Sequence, residues 1–213
     1  MADKVRSAST LELIGGRLCL DWANTVSVHR GPDRREYLTC YADLLEWSRR
    51  AGVLTPRDVR RLERTAARHP GEAAATLDRA IAMRETIYRI FAAVASRQSP
   101  PKADVAGLNA MLAEALSRLR VQSAGAGFIW QWAWAPQALD VMLWPIVRSA
   151  ADLLTSPDLF RVKQCARRQG CDWLFVDTSR NHSRRWCSMD TCGSRVKSSR
   201  HYRRKRAVQQ ART

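Results

Sequence analysis

Residues 165–192 read CARRQGCDWLFVDTSRNHSRRWCSMDTC, and this stretch decides how the chain is organised. Cys165, Cys171, Cys187 and Cys192 fall as C-x5-C, fifteen intervening residues, then C-x4-C. The other two cysteines, Cys19 and Cys40, stand alone in apolar surroundings. Two short loops that each offer two thiolates place four soft ligands around one tetrahedral centre with little loss of chain entropy. The pattern therefore points to zinc, with free or redox-active thiols as the alternative that spacing alone leaves open. If sulfur fills all four positions, no open site remains for water. One structural Zn2+ per chain is the expectation. Arg167, Arg168, Arg184 and Arg185 flank the cysteines, where positive charge favours thiolates and offsets the negative charge of a four-sulfur zinc site. Between the pairs, Trp173 and Phe175 alternate with Leu174 and Val176 in a strand, one arm of a hairpin with a miniature core.

Beyond Cys192 the chain runs GSRVKSSRHYRRKRAVQQART. Ser194 to Gln210 contains no proline and reads as a helix or arm that orders on phosphates. Arg195, Lys197, Arg200, Arg203, Arg204, Lys205 and Arg206 surround it without leaving an apolar stripe to bury. Arg180, Asn181, His182, Arg184 and Arg185 are placed to add contacts from the loop between the ligand pairs. His182 reads as a surface or capping residue rather than a fifth ligand.

The charge follows the same division. The whole chain of 213 residues carries 36 Lys+Arg against 20 Asp+Glu, a formal net charge of +16, and a pI near 10.7. Residues 161–213 hold 15 and 3 of these, so +12 of the excess lies in the last quarter, and residues 1–160 are nearly balanced at +4. Such a local excess belongs to a module that meets an anion. Arginine supplies most of it, and its planar fork grips phosphate or a guanine edge with two parallel hydrogen bonds.

The first 160 residues read as a helical scaffold. Gly15-Gly16 suggests a turn in a small hairpin or strand pair that includes Leu18-Cys19-Leu20. Helices are expected over Tyr37–Arg50, from Thr55-Pro56 with a stripe of Val59, Leu62 and Ala66, over Glu72–Arg97, and over Asp104–Leu119. The stripe of the last of these is Val105, Leu108, Leu112, Leu116 and Leu119. The segment Leu119–Ala135 switches to period two around Gly125-Ala126-Gly127 and predicts a β-hairpin. Trp130, Trp132 and Trp134 then share one face, expected to pack against the helices, with an aromatic ligand pocket as the alternative. A final helix is expected over Gln137–Leu154 with a kink at Pro145.

Cys19, Asp21, Asn24 and His29 lie close together, but no nucleophile elbow, phosphate loop or metalloprotease motif surrounds them, so no enzymatic role is expected. Asp21 and Asn24 are expected to satisfy backbone groups at a turn or helix start. With Trp130 and Trp132 they are also the candidates for a small-molecule pocket. No stretch approaches the roughly 18 uninterrupted apolar residues of a membrane span. Met1–Ile14 lacks the apolar region of a signal peptide. A cytoplasmic protein is expected, on the nucleoid when bound to DNA, with no membrane partner.

Cys165 through Arg195 resembles the CGNR zinc-finger domain of bacterial transcription regulators. The shared features are the four cysteines, Ser179-Arg180-Asn181 and Arg184-Arg185-Trp186-Cys187. GGRLCLDWANTV, residues 15–26, is similar to the opening motif of the ABATE-type domain that precedes this finger. The resemblance implies zinc on Cys165, Cys171, Cys187 and Cys192, and a role in DNA binding and stress-linked transcription. Where the family name spells Cys-Gly-Asn-Arg, this chain has Cys192-Gly193-Ser194-Arg195. Serine can cap a helix start, but it cannot make the two-ended contact by which an asparagine amide reads adenine.

The expected fold is therefore mainly α with small β-hairpins. A helical domain, residues 1–157, senses an effector or dimerises, and a small C-terminal zinc finger, residues 158–213, combines a zinc-ribbon-like hairpin with a basic helix. The expected function is a zinc-containing regulator that binds double-stranded DNA. The alternatives are RNA binding, with Trp173, Trp186 and Tyr202 stacking on bases, and a small-molecule-binding helical domain that uses the finger as an interaction module.

Overall fold

Gly15 sits where the first turn presses against the first helix. A Cβ there would lie 2.8 Å from Asp21 N, too close to fit without a shift of the backbone. Gly16 takes φ +77°, which glycine adopts without cost. The computed structural model describes residues 7–29, 31–167, 170–199, 202 and 205, and the turn feeds directly into α1 (Leu18–Ala23). Leu18-Cys19-Leu20 is thus helical and not a strand. The Asp21 carboxylate in the first turn accepts the Gly15 N–H at 2.7 Å, a short-range pairing that favours the helix.

Five longer helices follow: α2 (Tyr41–Arg50), α3 (Pro56–Arg68), α4 (Pro70–Ala95), α5 (Lys102–Leu116) and α6 (Leu143–Leu154). Their starts obey local capping chemistry. Thr55 and Asp58 form a reciprocal capping box at α3, with Pro56 in the first turn. The Asp43 carboxylate gathers the Thr39 and Cys40 N–H groups at α2, which leaves Tyr37 outside that helix. The last helix starts at Leu143, later than Gln137. Pro145 therefore falls in its first turn, where its missing N–H has no intrahelical partner to lose, and no kink is required. Along α5, Leu108 is buried but Val105 and Leu116 of the expected stripe are exposed.

Two antiparallel hairpins complete the fold, which is mainly α. β1 (Leu119–Ala124) and β2 (Gly127–Trp132) pair with Val121 opposite Trp130 and Leu119 opposite Trp132. The expectation that the tryptophan face packs on the helices holds only at its base. Trp132 meets Trp144 of α6 with ring centroids 6.0 Å apart, whereas Phe128 and Trp130 stay 74% and 60% exposed.

The second hairpin pairs β3 (Val162–Gln164) with β4 (Leu174–Val176). It does not build a miniature core of its own. Trp173, Leu174, Phe175 and Val176 are all buried and belong to the same apolar cluster as Leu20, Trp22, Ile87 and Phe91. β3 and β4 pack on α4, and β4 also contacts α1. Helices and finger thus share one core.

Candidate metal centre

The four cysteines are brought together by two turns of different kinds. Cys165 follows β3 and Cys171 precedes β4, and the pairing continues past the strand ends through Cys165 N–H donating to Trp173 O at 2.8 Å. The connecting loop turns through Gly170 at φ +79°. On the other side, Cys187 precedes and Cys192 lies within a tight π-helical turn, Met189–Gly193, whose start is capped by Ser188 Oγ accepting the Thr191 N–H. The halves are joined by Ala166 N–H donating to Arg185 O at 2.8 Å.

All four Sγ atoms lie within 4.8 Å of one another, and all four cysteines are buried. Cys171 and Cys187, and Cys187 and Cys192, are each 3.6 Å apart at sulfur. Zinc–sulfur bonds of about 2.3 Å in a tetrahedron require sulfurs about 3.8 Å apart, so the donor set fits the ion in element, number and spacing. His182 lies outside this group, exposed, with Nδ1 3.3 Å from Asp177 O. The cofactor is one structural zinc ion.

The electrostatics suit thiolates. Hydrogen bonds from Cys171 and Cys187 hold the Cys165 thiol down to about 7. The other three cysteines, aided by Arg167, hold Cys192 far below the ordinary thiol range. The Cys171 and Cys187 thiols are pushed up, by sharing with Cys165 first and by burial as well. Arg167 Nη1 lies 4.0 Å from Cys192 Sγ, a fixed positive charge beside the cluster.

A buried carboxylate that sequence reading passed over shapes the loop between the ligand pairs. Asp177 accepts from Lys163 Nζ at 2.6 Å, from Ser179 N–H and Oγ at 2.9 and 2.6 Å, and from Arg184 N–H at 3.0 Å. Burial alone would raise its pKa, but these donors hold the carboxyl well below its usual range. Lys163 also donates to His182 O. The Asp-x-Ser spacing of Asp177 and Ser179 was the available signal.

The basic residues divide by position. Arg184 is turned inward: its guanidinium stacks 4.2 Å from the Phe175 ring centroid and donates to the carbonyls of Trp186 and Cys187. Arg180, Arg185, Arg195, Lys197 and Lys205 are exposed. Residues 194–199 are helical and continue directly from the π-turn that ends beside Cys192. Arg200, Arg203, Arg204 and Arg206, along with Arg168, lie outside the described residues. Ser194 does not cap this helix; its hydroxyl donates to Met189 O at 3.1 Å, and Ser188 performs the capping.

Each of the four candidates for a ligand pocket has its own partners. Asp21 binds the main chain of Gly15, and Asn24 binds the main chain of Leu174 through both ends of its amide. Trp132 leans on Trp144, and Trp130 stands exposed beside Arg148, whose guanidinium lies 5.5 Å from its ring. Burial pushes the Asp21 carboxyl up to about 6, against the Gly15 hydrogen bond that lowers it.

A polar network instead ties the helical layer to the first ligand pair. The Asp172 carboxylate, next to Cys171, accepts from His29 N–H at 2.8 Å and Tyr88 Oη at 3.1 Å. Gln164 Nε2 donates to Tyr88 Oη at 2.8 Å. The His29 ring stacks on Tyr88 and pairs with Glu85 through Nδ1 at 2.7 Å. Fully buried Arg84 grips Glu36 with two bonds of 2.6 and 2.7 Å and also reaches Glu85. Burial opposes ionisation of Glu85, but His29 and Arg84 hold its carboxyl down to about 2.

Comparison with known families agrees with this arrangement. The family model ABATE, described as "Putative stress-induced transcription regulator", matches residues 16–157. The model described as "CGNR zinc finger" matches residues 161–205. No curated protein matches the chain. Among the described residues, no helix is long and apolar enough to cross a membrane.

Proposed function

Because the chain belongs to the ABATE family and carries a CGNR zinc finger, we propose that it is a non-enzymatic transcription regulator whose finger binds double-stranded DNA. One observation carries the reading: the helical segment bearing Arg195 and Lys197 springs from the turn that holds the ligand Cys192. Closure of four sulfurs around zinc fixes where the helical segment bearing Arg195 and Lys197 begins. Exposed Arg180 and Arg185 on the neighbouring loop add to that positive surface. Arg184 serves the interior and is left out of the contact surface. The helical part, residues 1–157, is the part that answers an effector. The protein acts in the cytoplasm, on the nucleoid when bound.

Stacking on single-stranded RNA is the weaker reading, because Trp173 is buried and its Nε1 is committed to Val26 O at 2.7 Å. The test is a salt series on duplex DNA with structured RNA as competitor. Phosphate neutralisation predicts that log affinity falls linearly with log salt, and that each lost phosphate contact lowers the slope by about one. Absence of binding by the zinc-loaded protein even at low salt would falsify the proposal. Preferential retention of RNA would favour the alternative.

A further inference from the structure

The outer face of α3 carries an array of arginines that the finger does not account for. Arg57, Arg60, Arg61, Arg64 and Arg68 stand on this one helix against Asp58 and Glu63, a net of +3 where residues 1–160 as a whole carry +4. At about 100° per residue the five fall within an arc of about 100°, and both acidic residues fall outside it. On the opposite side Leu62 is buried, and Val59 and Ala66 pack against the core. Arg57, Arg60, Arg64 and Arg68 are exposed, while Arg61, at the edge of the array, is half-buried with its guanidinium 5.4 Å from the Trp134 ring.

Other arginines of the helical part are matched to carboxylates: Arg17 to Asp158, Arg49 to Glu46, Arg89 to Asp104 and Arg148 to Asp152. Among the described residues, no carboxylate pairs with an arginine of α3. Asp58 is committed to the helix cap, where it accepts from Thr55 N–H at 2.9 Å and Oγ1 at 2.6 Å. Arg68 Nε donates to Arg64 O at 3.2 Å, a bond along the helix that leaves its charge unmatched. Like charges three and four residues apart destabilise a helix, so the array is favourable only where an anion neutralises it. We propose that this face is a second phosphate-binding surface, which holds the backbone of duplex DNA without reading its bases. The proposal rests on the reading that the protein binds duplex DNA.

The shape of the array selects the partner. It runs about 17 Å along the helix with a guanidinium at least every ~6 Å, which suits a linear polyanion better than a single small anion. Each arginine fork takes two phosphate oxygens at once. Adsorption to an anionic membrane needs apolar side chains beside the basic ones, and those of α3 face the core. Single strands are held by stacking on aromatic rings, and α3 has none.

The test compares salt slopes on duplex DNA for the zinc-loaded full chain. One variant combines Arg57→Gln, Arg60→Gln and Arg64→Gln. A charge-matched control combines Arg35→Gln, Lys102→Gln and Arg120→Gln, three exposed positive charges elsewhere on the helical part. The expected result is a slope lower by about two to three for the α3 variant and affinity at least roughly tenfold weaker at low salt, with the control close to the parent. Unchanged circular dichroism and zinc content establish folding, and Arg60→Gln with Arg64→Gln replaces the triple variant if it does not fold. If the α3 variant keeps the parent's slope while Arg180→Ala with Lys197→Ala lowers it, the α3 surface is overturned and the finger reading stands. The reverse pattern keeps the α3 surface and removes the finger as the binding part. No binding by the parent overturns both. A control that weakens binding as much as the α3 variant overturns the proposal, because net charge alone then carries the effect. Loss of binding to anionic vesicles at an unchanged DNA slope also overturns it and assigns the face to lipid.

Discussion

Asn24 occupies both main-chain hydrogen-bonding positions of Leu174, which lies 150 residues further along the chain: Nδ2 donates to Leu174 O at 2.9 Å and Oδ1 accepts Leu174 N–H at 2.8 Å. The amide acts as a one-residue strand added to β4, and it fastens the finger hairpin to the end of α1. Val26 and Gly15 complete the seam, through Trp173 Nε1 donating to Val26 O and Val176 N–H donating to Gly15 O.

Asn24→Leu should therefore cost more than its size suggests. It leaves a buried N–H and a buried C=O of Leu174 unpaired, at about 1–3 kcal/mol for each. Urea unfolding should show a loss of about 2–4 kcal/mol. A change under about 0.5 kcal/mol, typical of surface substitutions, would show that the seam is not a stabilising contact.

Asp21 sets a pH dependence of definite sign. Its carboxyl is pushed up to about 6 in the folded chain, against about 3.9 when unfolded. Between these values the folded state binds more protons than the unfolded state, so stability falls as pH rises from about 4 to about 6 and is level above that. Asp21→Asn keeps an oxygen to accept the Gly15 N–H and removes the charge. It should be more stable than the parent by about 1–3 kcal/mol at pH 8 and equal to it near pH 4, as followed by thermal melts. An identical pH profile in both proteins would count against the buried charge.

Asp177→Ala should damage the finger and spare the helices. Lys163 loses its buried counter-charge, and the Ser179 and Arg184 N–H groups lose their acceptor, a loss of about 2–4 kcal/mol. Zinc should leave faster to a chromogenic chelator while helical circular dichroism is largely kept. Asp177→Asn should recover part of the retention because its oxygen still accepts from Ser179. Zinc loss at the parent's rate from Asp177→Ala would remove the loop-organising role.

Arg184 and Lys197 should separate stability from binding. Arg184→Ala loses the stack on Phe175 and the bonds to two carbonyls, so chelator resistance should fall. Arg180→Ala with Lys197→Ala should leave folding unchanged and lower the salt slope on duplex DNA by up to about two. The roles would be reversed if Arg184→Ala weakened only DNA binding.

Metal content should be one zinc per chain, released with uptake of protons by the cysteines as pH falls. Chelation should raise amide exchange over residues 160–195, and Cys192→Ser should do the same. Stoichiometric, metal-free thiols in freshly purified protein would contradict the site.

Much of this was legible in the sequence because the physics involved is local. Four cysteines in two short loops, flanked by arginines, point to a tetrahedral sulfur site by local spacing and charge. The Thr55, Pro56 and Asp58 set specifies a helix start by hydrogen bonds within one turn, and the period of two around Gly125 to Gly127 specifies a hairpin. Leu18 to Leu20 misled because three consecutive apolar residues fit a buried strand or a buried helix equally well, and the Gly15 to Asp21 hydrogen bond favours the helix.

Tertiary structure alone decided where side chains go. Trp130 lies in β2 and Trp173 directly precedes β4, yet the first stands largely in solvent and the second lies in the shared core, because β4 is laid against α1 and α4. Arg184 and Arg185 are neighbours in one basic run, yet the first is drawn inward by carbonyls and the Phe175 ring while the second stays outside. The destination of a side chain depends on partners that arrive from distant parts of the chain, as Leu174 does for Asn24, and no local pattern records which partner will arrive.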